Sequence, residues 1–449
     1  MLDIDAKDPI CAVSTPPGKG GVAIIRVSGL GGEAAIRKIA NFLPKELDSH
    51  KAYFGKLVDP KTNTAFDEAL VFYFKEGSSY TGEMTFEISS HGSEYVTKKI
   101  ISLLKENGVR HAERGEFTFR SFRNGQMDLV QAESVLSLID SESEIAGRAA
   151  FNQLDGQLSA SLKKVEDQLL WVGAQLEAEI DFTEQDISVA DYEASITKLK
   201  DIKSYCQKLL KNYSNFKLIN NGLKLALVGE PNAGKSSLLN ALLGYDRSIV
   251  SNEKGTTRDF IEAEFYRDNY KVTLVDTAGL RATGDPVESI GIAKTYEALK
   301  GCDLVFFLHD LSTEKVNKEF FDKVAEINKN TLLVGTKKDL SKKPLHNCKA
   351  ALSVVDEGGL TEAKALLDDF YQKHLSSGNT EVIQQRHAEH IKQIIKKAER
   401  ALTLLEKSES PDLCAFEIKD AVLSIHEILG KKFDDQIMDR VFGDFCLGK

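Results

Sequence analysis

A chain of 449 residues has room for about three domains. Its 58 basic and 68 acidic side chains leave a net charge of −10, which excludes a global nucleic-acid footprint, so any such contact needs a local patch or a partner. Six scattered cysteines without a C-x-x-C pair, an acidic N-terminus without an apolar leader core and the lack of any apolar run of about 18 residues argue against a disulfide framework, a zinc site, a signal peptide and a membrane span; a cytoplasmic chain is expected.

Residues 1–119 read as an α+β domain. Apolar, β-rich runs lie at 10–14, 22–27, 69–74 and 85–89, and 96–105 has helical periodicity closed by Asn107-Gly108. TPPGKGG (15–21) is a turn-rich loop between two strands, without the spacing of a dinucleotide site. From 120 to 218 glycine and proline thin out. The stretches 129–139, 149–176 and 192–216 predict long amphipathic helices interrupted at 181–182 and 185–190, with the single tryptophan, Trp171, in their core. Residues 219–376 alternate strand runs (223–228, 260–266, 270–275, 303–308, 331–335, 349–353) with helix runs (236–243, 289–300, 314–328, 360–374), the pattern of a parallel βα sheet. SSGNT (376–380) reads as a linker. Helical periodicity returns at 384–407 and 415–429. The simplest architecture is a multidomain α/β plus α chain, in which a P-loop domain (219–376) is inserted into a discontinuous helical domain (120–218 plus 377–449).

The chemistry centres on GEPNAGKSS (229–237), a G-x-x-x-x-G-K-[ST] phosphate loop between an apolar strand and a helix start. Backbone N–H groups of Asn232, Ala233, Gly234, Lys235, Ser236 and Ser237 can turn onto a polyphosphate at a positive helix end. Lys235 reaches the outer phosphates and the Ser236 hydroxyl ligates Mg²⁺. GTTRD (255–259) supplies a switch threonine, Thr256 or Thr257, to complete the Mg²⁺ shell and sense the γ-phosphate. In DTAG, Asp276 belongs near Mg²⁺ and the Gly279 amide near the γ-phosphate, with Thr277 and Ala278 between them. In TKKD, Asp339 beside Lys337 accepts two bonds from guanine that adenine cannot make, which selects GTP. Leu280 stands where Ras-type GTPases carry their water-orienting glutamine, so hydrolysis needs another polar group and another positive charge; Arg258, Arg281, Asp285 and Glu288 are candidates that spacing alone does not separate. Two basic clusters, one of Arg110, His111, Arg114, Arg120 and Arg123, the other of Arg386, Lys392, Lys396, Lys397 and Arg400, are either nucleic-acid phosphate contacts or solvated helix faces. His387-x-x-His390 has helical spacing but no evident third metal ligand.

Eight stretches taken together go further: TPPGKGGVAIIRVSG (15–29), SYTGEMTFEISSHG (79–92), GEFTFRSFRNGQMDLVQAESV (115–135), GEPNAGKSSLLNALL (229–243), GTTRD (255–259), DTAGLR (276–281), VESIGIAKT (287–295) and the terminal FCLGK (445–449). Over essentially its full length the chain resembles the MnmE (TrmE) family of tRNA-modification GTPases. The resemblance implies that 1–119 dimerises and binds a 5,10-methylene- or 5-formyl-tetrahydrofolate one-carbon donor through Arg26, Glu87 and Lys449, with Gln126 in place of the family's lysine. It implies a Ras-like G domain in which K⁺ stands in for an arginine finger. The K⁺ ligands would come from Asn232, carbonyls at Ser251 and Glu253, and Thr256, while Mg²⁺ takes Ser236 and Thr257 and Glu288 orients the attacking water through a bridging water. Cys446 becomes a possible modification-site residue. Guanine O6 would meet an amide of the Ser353-Val354 stretch. Thr336 replaces the asparagine of N-K-x-D, so loss of that side chain's contacts to base and neighbouring loop, and weaker nucleotide binding, are expected. The implied activity is GTP hydrolysis by a homodimer. With a FAD- and NADH-dependent MnmG (GidA)-type partner in a heterotetramer, it adds an aminomethyl or carboxymethylaminomethyl group to carbon 5 of the tRNA wobble uridine. The alternative is an RNA- or ribosome-assembly GTPase switch without modification activity.

Overall fold

The computed structural model describes residues 8–182, 190–245, 248–249, 262–267, 270–276, 297–313, 316–340, 348–356, 358–375, 384–407, 410–432, 438, 441–443, 445–446 and 448–449. They fall into two compact units, one of 1–136, 153–206 and 389–449, the other of 137–152 and 207–388.

In the first unit the strands β1 (Ile10–Val13), β2 (Gly20–Ser28), β3 (Lys51–Asp59), β4 (Thr64–Phe74), β5 (Thr85–Gly92) and β6 (Arg110–His111) form one sheet of order β3-β4-β5-β2-β1-β6. It is antiparallel except where β1 and β6 run parallel. Alternate residues set its faces. Ile25, Val27, Val71, Phe86 and Ile88 point into a core shared with Ile36 and Ile39 of α1 (Gly32–Ile39) and Ile100 and Leu104 of α2 (Glu94–Glu106). The intervening residues line two cross-strand rows on the other face: Phe54–Leu70–Ser89–Ile24 and Ala52–Phe72–Glu87–Arg26. The predicted strands are all present. β3 and α1 are additional, and TPPGKGG contributes its last two glycines to β2.

After α3 (Glu116–Arg123), α4 (Leu129–Ile139) matches its predicted bounds. The single helix expected over 149–176 is instead two, α5 (Glu144–Leu154) and α6 (Gln157–Phe182). The break falls at Gly156, whose φ of 88° is left-handed and unavailable to a continuing helix. Helix α6 also runs through the interruption expected at 181–182, while 183–189 lie outside the described residues. It packs against α12 (Pro411–Leu429); of α7 (Tyr192–Asn221) and α11 (Gln385–Glu406), residues 192–206 and 389–406 belong to the same unit. Lys203–Glu399 (3.0 Å) joins α7 to α11, Lys397–Glu417 (3.2 Å) joins α11 to α12, and His426–Glu166 (2.7 Å) joins α12 to α6. Trp171 is only half-buried, its ring carrying the Lys198 ammonium at 4.8 Å, which corrects the expectation of a core tryptophan.

In the second unit β7 (Leu223–Gly229), β8 (Ser248–Ile249), β9 (Glu262–Arg267), β10 (Tyr270–Asp276), β11 (Leu304–Asp310), β12 (Thr331–Thr336) and β13 (Ala350–Ala351) form a sheet of order β13-β12-β11-β7-β10-β9-β8. The expected parallel pattern holds from β13 to β10, but β9 and β8 are antiparallel additions at the other edge. Leu225 and Leu227 face α8 (Lys235–Tyr245) and α10 (Thr361–Leu375), whereas Ala226 and Val228 face α9 (Lys318–Ile327). Two buried faces explain why these strands read as unbroken apolar runs. Of the helix expected over 289–300, residues 289–296 lie outside the described residues, as does the 376–380 linker. Among the described residues no helix is long and apolar enough to cross a membrane.

Candidate nucleotide and tail-docked sites

The phosphate loop leaves β7 and enters α8, as its sequence context predicts. Two non-glycine residues near it hold left-handed backbone, Asn232 (φ 62°) and Lys337 (φ 56°), a costly conformation that tends to mark functional loops. The Lys235 ammonium donates to the carbonyls of Gly229 (2.7 Å) and Glu230 (2.8 Å), which holds it over its own loop. Ser236 and Ser237 are exposed at the first turn of α8, and Ala233 is buried. Asn317, which caps α9 through Phe320 N (3.1 Å), also reaches the Glu230 carboxylate (3.1 Å). That second hold on the loop was not read from the sequence; the Asn before a helix start was its only signal.

Thr336 ends β12 with its side chain nearly enclosed, 6 % exposed. Its hydroxyl lies within donating distance of Ala233 O (2.8 Å) and His309 O (3.2 Å). The expectation that threonine forfeits the contact to the neighbouring loop is therefore corrected: a shorter side chain reaches the phosphate loop because β12 places its Cβ against Gly234. Lys337 pairs with Asp310 (2.6 Å). Burial works to raise the Asp310 carboxyl, but donors from Lys337 and Ser312 outweigh it and hold it below its ordinary value. Asp339 is exposed and accepts the Ser353 hydroxyl (2.9 Å). Gly234, Ser237, Thr336, Lys337, Asp339 and Val354 share a cavity of about 210 Å³, so residues of the phosphate loop, of TKKD and of the Ser353-Val354 stretch, far apart in sequence, converge. Asp276 ends β10. Ser251, Glu253, Thr256, Thr257, Arg258, Thr277, Ala278, Gly279, Leu280, Arg281, Asp285 and Glu288 lie outside the described residues.

In the first unit Arg26 and Glu87 are opposed in the β2–β5 ladder, and Arg26 donates from Nε (2.9 Å) and Nη2 (2.8 Å) to one Glu87 oxygen. The guanidinium sits 5.1 Å from the Tyr80 ring centroid and 5.6 Å from that of Phe117, an aromatic backing the sequence did not single out. The chain terminus docks here. Phe445 packs at a tilt against Phe442 in the aromatic cluster with Phe119. Gly448 O accepts from Ser14 Oγ (3.2 Å) and Arg26 Nη1 (3.5 Å). Gly448 has φ 92°, and a Cβ there would fall 2.4 Å from Val13 O, so only glycine fits. Lys449 is half-buried; burial first, then Arg26, push its ammonium below the usual lysine value, while Glu87 opposes. Cys446 is exposed between the two anchors. Gln126 lies against Gly82, on the turn that carries Tyr80, and lines a separate cavity of about 420 Å³.

In the first basic cluster Arg110, Arg120 and Arg123 are engaged by carboxylates, while Arg114 is exposed. Arg120 is 1 % exposed and meets Glu116 (2.8 Å), Glu83 (3.1 Å) and Asp8 O (2.9 Å). Arg110 bridges Asp8 (2.7 Å) and Glu116 (2.7 Å), and Arg123 pairs with Glu83 (2.8 Å). In the second cluster Lys397 and Arg400 face Glu417, while Lys392 and Lys396 are exposed. His387 is fully buried and accepts from Gln384 N (3.3 Å); His390 faces Glu427 (3.1 Å).

Two family models match the chain, the GTP-binding protein TrmE N-terminus over 9–126 and the MnmE helical domain over 129–446. The tRNA modification GTPase MnmE of Bdellovibrio bacteriovorus is 41 % identical over 469 residues, covering 99 % of this chain and 98 % of that protein. That of Thermus thermophilus is 37 % identical over 447 residues, covering 99 % and 100 %. Among solved structures, the G domain of the T. maritima FeoB iron transporter matches 33 % of this chain and 99 % of that chain, at 31 % identity and a TM-score of 0.27.

Proposed function

The chain belongs to the MnmE family of tRNA modification GTPases, and on that premise we propose that it couples GTP hydrolysis to one-carbon chemistry on the tRNA wobble uridine. In this reading it acts as a cytoplasmic homodimer. Together with a FAD- and NADH-dependent MnmG-type partner in a heterotetramer, it installs an aminomethyl or carboxymethylaminomethyl group at carbon 5. The observation that carries the reading is the docked tail, which gathers Lys449, Arg26 and Glu87 on the open face of the N-terminal sheet. Those groups suit a tetrahydrofolate: a carboxylate beside pterin N–H groups, and cations beside its glutamate or carbonyl oxygens. When bound, that folate supplies the one-carbon unit. Arg26, backed by Tyr80 and Phe117, orients it, and Gly448 fixes where Lys449 and Cys446 stand. The same face bears exposed Phe54 and Leu70, which favours a second copy as its cover.

At the nucleotide, exposed Ser236 offers a hydroxyl suited to Mg²⁺, and Asn232 an oxygen suited to K⁺, both hard cations. Thr257 would complete the Mg²⁺ shell, and Ser251, Glu253 and Thr256 the K⁺ shell. A cation held by those groups would supply positive charge against the negative charge that develops on the phosphates, and Glu288 orients the water that Leu280 cannot. Asp339, positioned by Ser353, reads guanine.

The reading is tested by mass analysis of wobble nucleosides from cells lacking this chain. Unmodified uridine is expected; normal modification would favour the assembly-switch alternative. Glu288→Ala should slow hydrolysis at least about a hundredfold with GTP affinity kept, in line with the loss of a water-positioning group. Turnover should also rise steeply when K⁺ replaces Na⁺, and equal rates in the two salts would remove the K⁺ role.

A further inference from the structure

Residues 137–152 belong by their contacts to the same compact unit as the G core. Ile145 of α5 packs against the hydrophobic cluster of that core. Glu142, in the turn before α5, accepts the Tyr266 hydroxyl (2.9 Å) and faces the Lys271 ammonium (3.0 Å), which also reaches Glu264 (2.8 Å). Tyr266 and Lys271 are directly opposed in the β9–β10 ladder, so their side chains share a face, and one carboxylate oxygen binds both. The same hairpin tip is tied to α10, where Asp368 accepts Arg267 Nε (3.3 Å) and Tyr270 Oη (2.7 Å).

The other ends of these strands carry the nucleotide motifs. β9 begins shortly after GTTRD, and β10 ends on Asp276, the first residue of DTAG. Between Lys271 and Asp276 the strand rises roughly 17 Å as a stiff ladder in register with both neighbours. A shift or tilt at the Asp276 end cannot be absorbed along the strand without breaking that register, so it reaches the tip. There it meets a carboxylate already held by two donors.

We propose that Glu142 is a positioning residue that couples the hairpin between the two nucleotide-sensing motifs to residues 137–152, so that the GTP or GDP state of the G core is read out in this piece of the helical region. The segment continues directly from α4, the helix that begins three residues after Gln126. The inference rests on the GTPase reading but not on the modification chemistry.

The test is hydrogen–deuterium exchange on the full-length protein with GDP and with a non-hydrolysable GTP analogue. In the wild type, exchange across 137–152 should differ at least about threefold between the two states. Glu142→Ala and the near-isosteric Glu142→Gln should abolish that difference, leaving the difference in 262–276 and GTP affinity within twofold. Glu142 is 51 % exposed and lies outside the nucleotide machinery, so neither variant should unfold the protein. Tyr266→Phe, which removes one of the two donors to that carboxylate and leaves the ladder intact, should reduce the difference as well. A wild-type segment indifferent to nucleotide, or a difference that survives in Glu142→Ala, overturns the coupling. GTP turnover measured in the same samples separates this outcome from a failure of the GTPase reading.

Discussion

Thr336 shows how much one hydroxyl can settle. Replacing it with near-isosteric valine would leave the carbonyls of Ala233 and His309 without this donor in an enclosed site, a loss of about 1–3 kcal/mol. Thr336→Val should therefore lower the unfolding temperature and weaken GDP and GTP binding by about tenfold, whereas Thr336→Ser should stay close to wild type. Calorimetric titration beside thermal unfolding checks this, and equal affinities in valine and threonine proteins would remove the role. The same position marks the limit of reading a sequence. The positions of Lys235, Ser236 and Asp339 just past a strand end were legible because each motif is local, a strand followed by a turn. Whether Thr336 could reach the phosphate loop depended on β12 lying beside β11, one strand over from β7, a placement no local pattern encodes. The tail was legible for a different reason: CLGK matched a known pattern. That Gly448 is required by the approach of Val13 O needed coordinates.

At the level of single elements, α4 and the central strands were legible because their periodicity is unbroken and their burial one- or two-sided. β3 was missed because it is an edge strand with half-exposed alternation and a central glycine, so it presents no apolar run. The α5–α6 break was missed because apolar spacing continues across Asp155-Gly156. Helix α3 was read as a basic stretch, yet its charges are internal. Its Glu116 is pushed up by burial, but the Arg110 bond, the Glu113 N–H and Arg120 outweigh that and hold it below its ordinary 4.5. Asp8 is lowered first by its bond to Arg110. Carboxylates with depressed folded values stabilise the fold above about pH 4.5, and that contribution is lost as the pH falls through the folded values. Removing Arg120 leaves the buried Glu116 carboxylate with Arg110 as its one remaining cation and takes a partner from Glu83, at a cost of about 3–5 kcal/mol. Arg120→Met should thus be severely destabilised at pH 7, and its deficit relative to wild type should shrink toward pH 4, where Glu116 begins to take up a proton. Thermal unfolding at the two values measures the gap; a gap independent of pH would show that Arg120 acts by packing alone.

For the whole molecule, the proposed function asks a chain at −10 to approach RNA, a folate and a second copy; bulk charge does not serve that, so the burden falls on particular surfaces. The open face of the N-terminal sheet is one. Its apolar row runs across four strands through Phe54 (67 % exposed) and Leu70 (39 % exposed), beside the row that holds Glu87 and Arg26. A twofold interface repeats each contact, so two side chains per protomer become four. If covering each contributes about 1 kcal/mol of apolar burial, the pair of changes Phe54→Asp and Leu70→Lys should weaken the dimer about a thousandfold. Phe54 is already largely solvent-facing, and Leu70 enough so for a lysine to carry its ammonium into water, so the monomer should keep its fold and its GTP affinity. Folate affinity should fall along with the dimer if the ligand is held where the two faces meet. Sedimentation equilibrium with calorimetric folate titration distinguishes the outcomes. A dimer of unchanged strength would move the interface off this sheet, and a weakened dimer with intact folate binding would place the whole ligand site within one protomer, on the surface bounded by Arg26, Glu87 and the docked terminus.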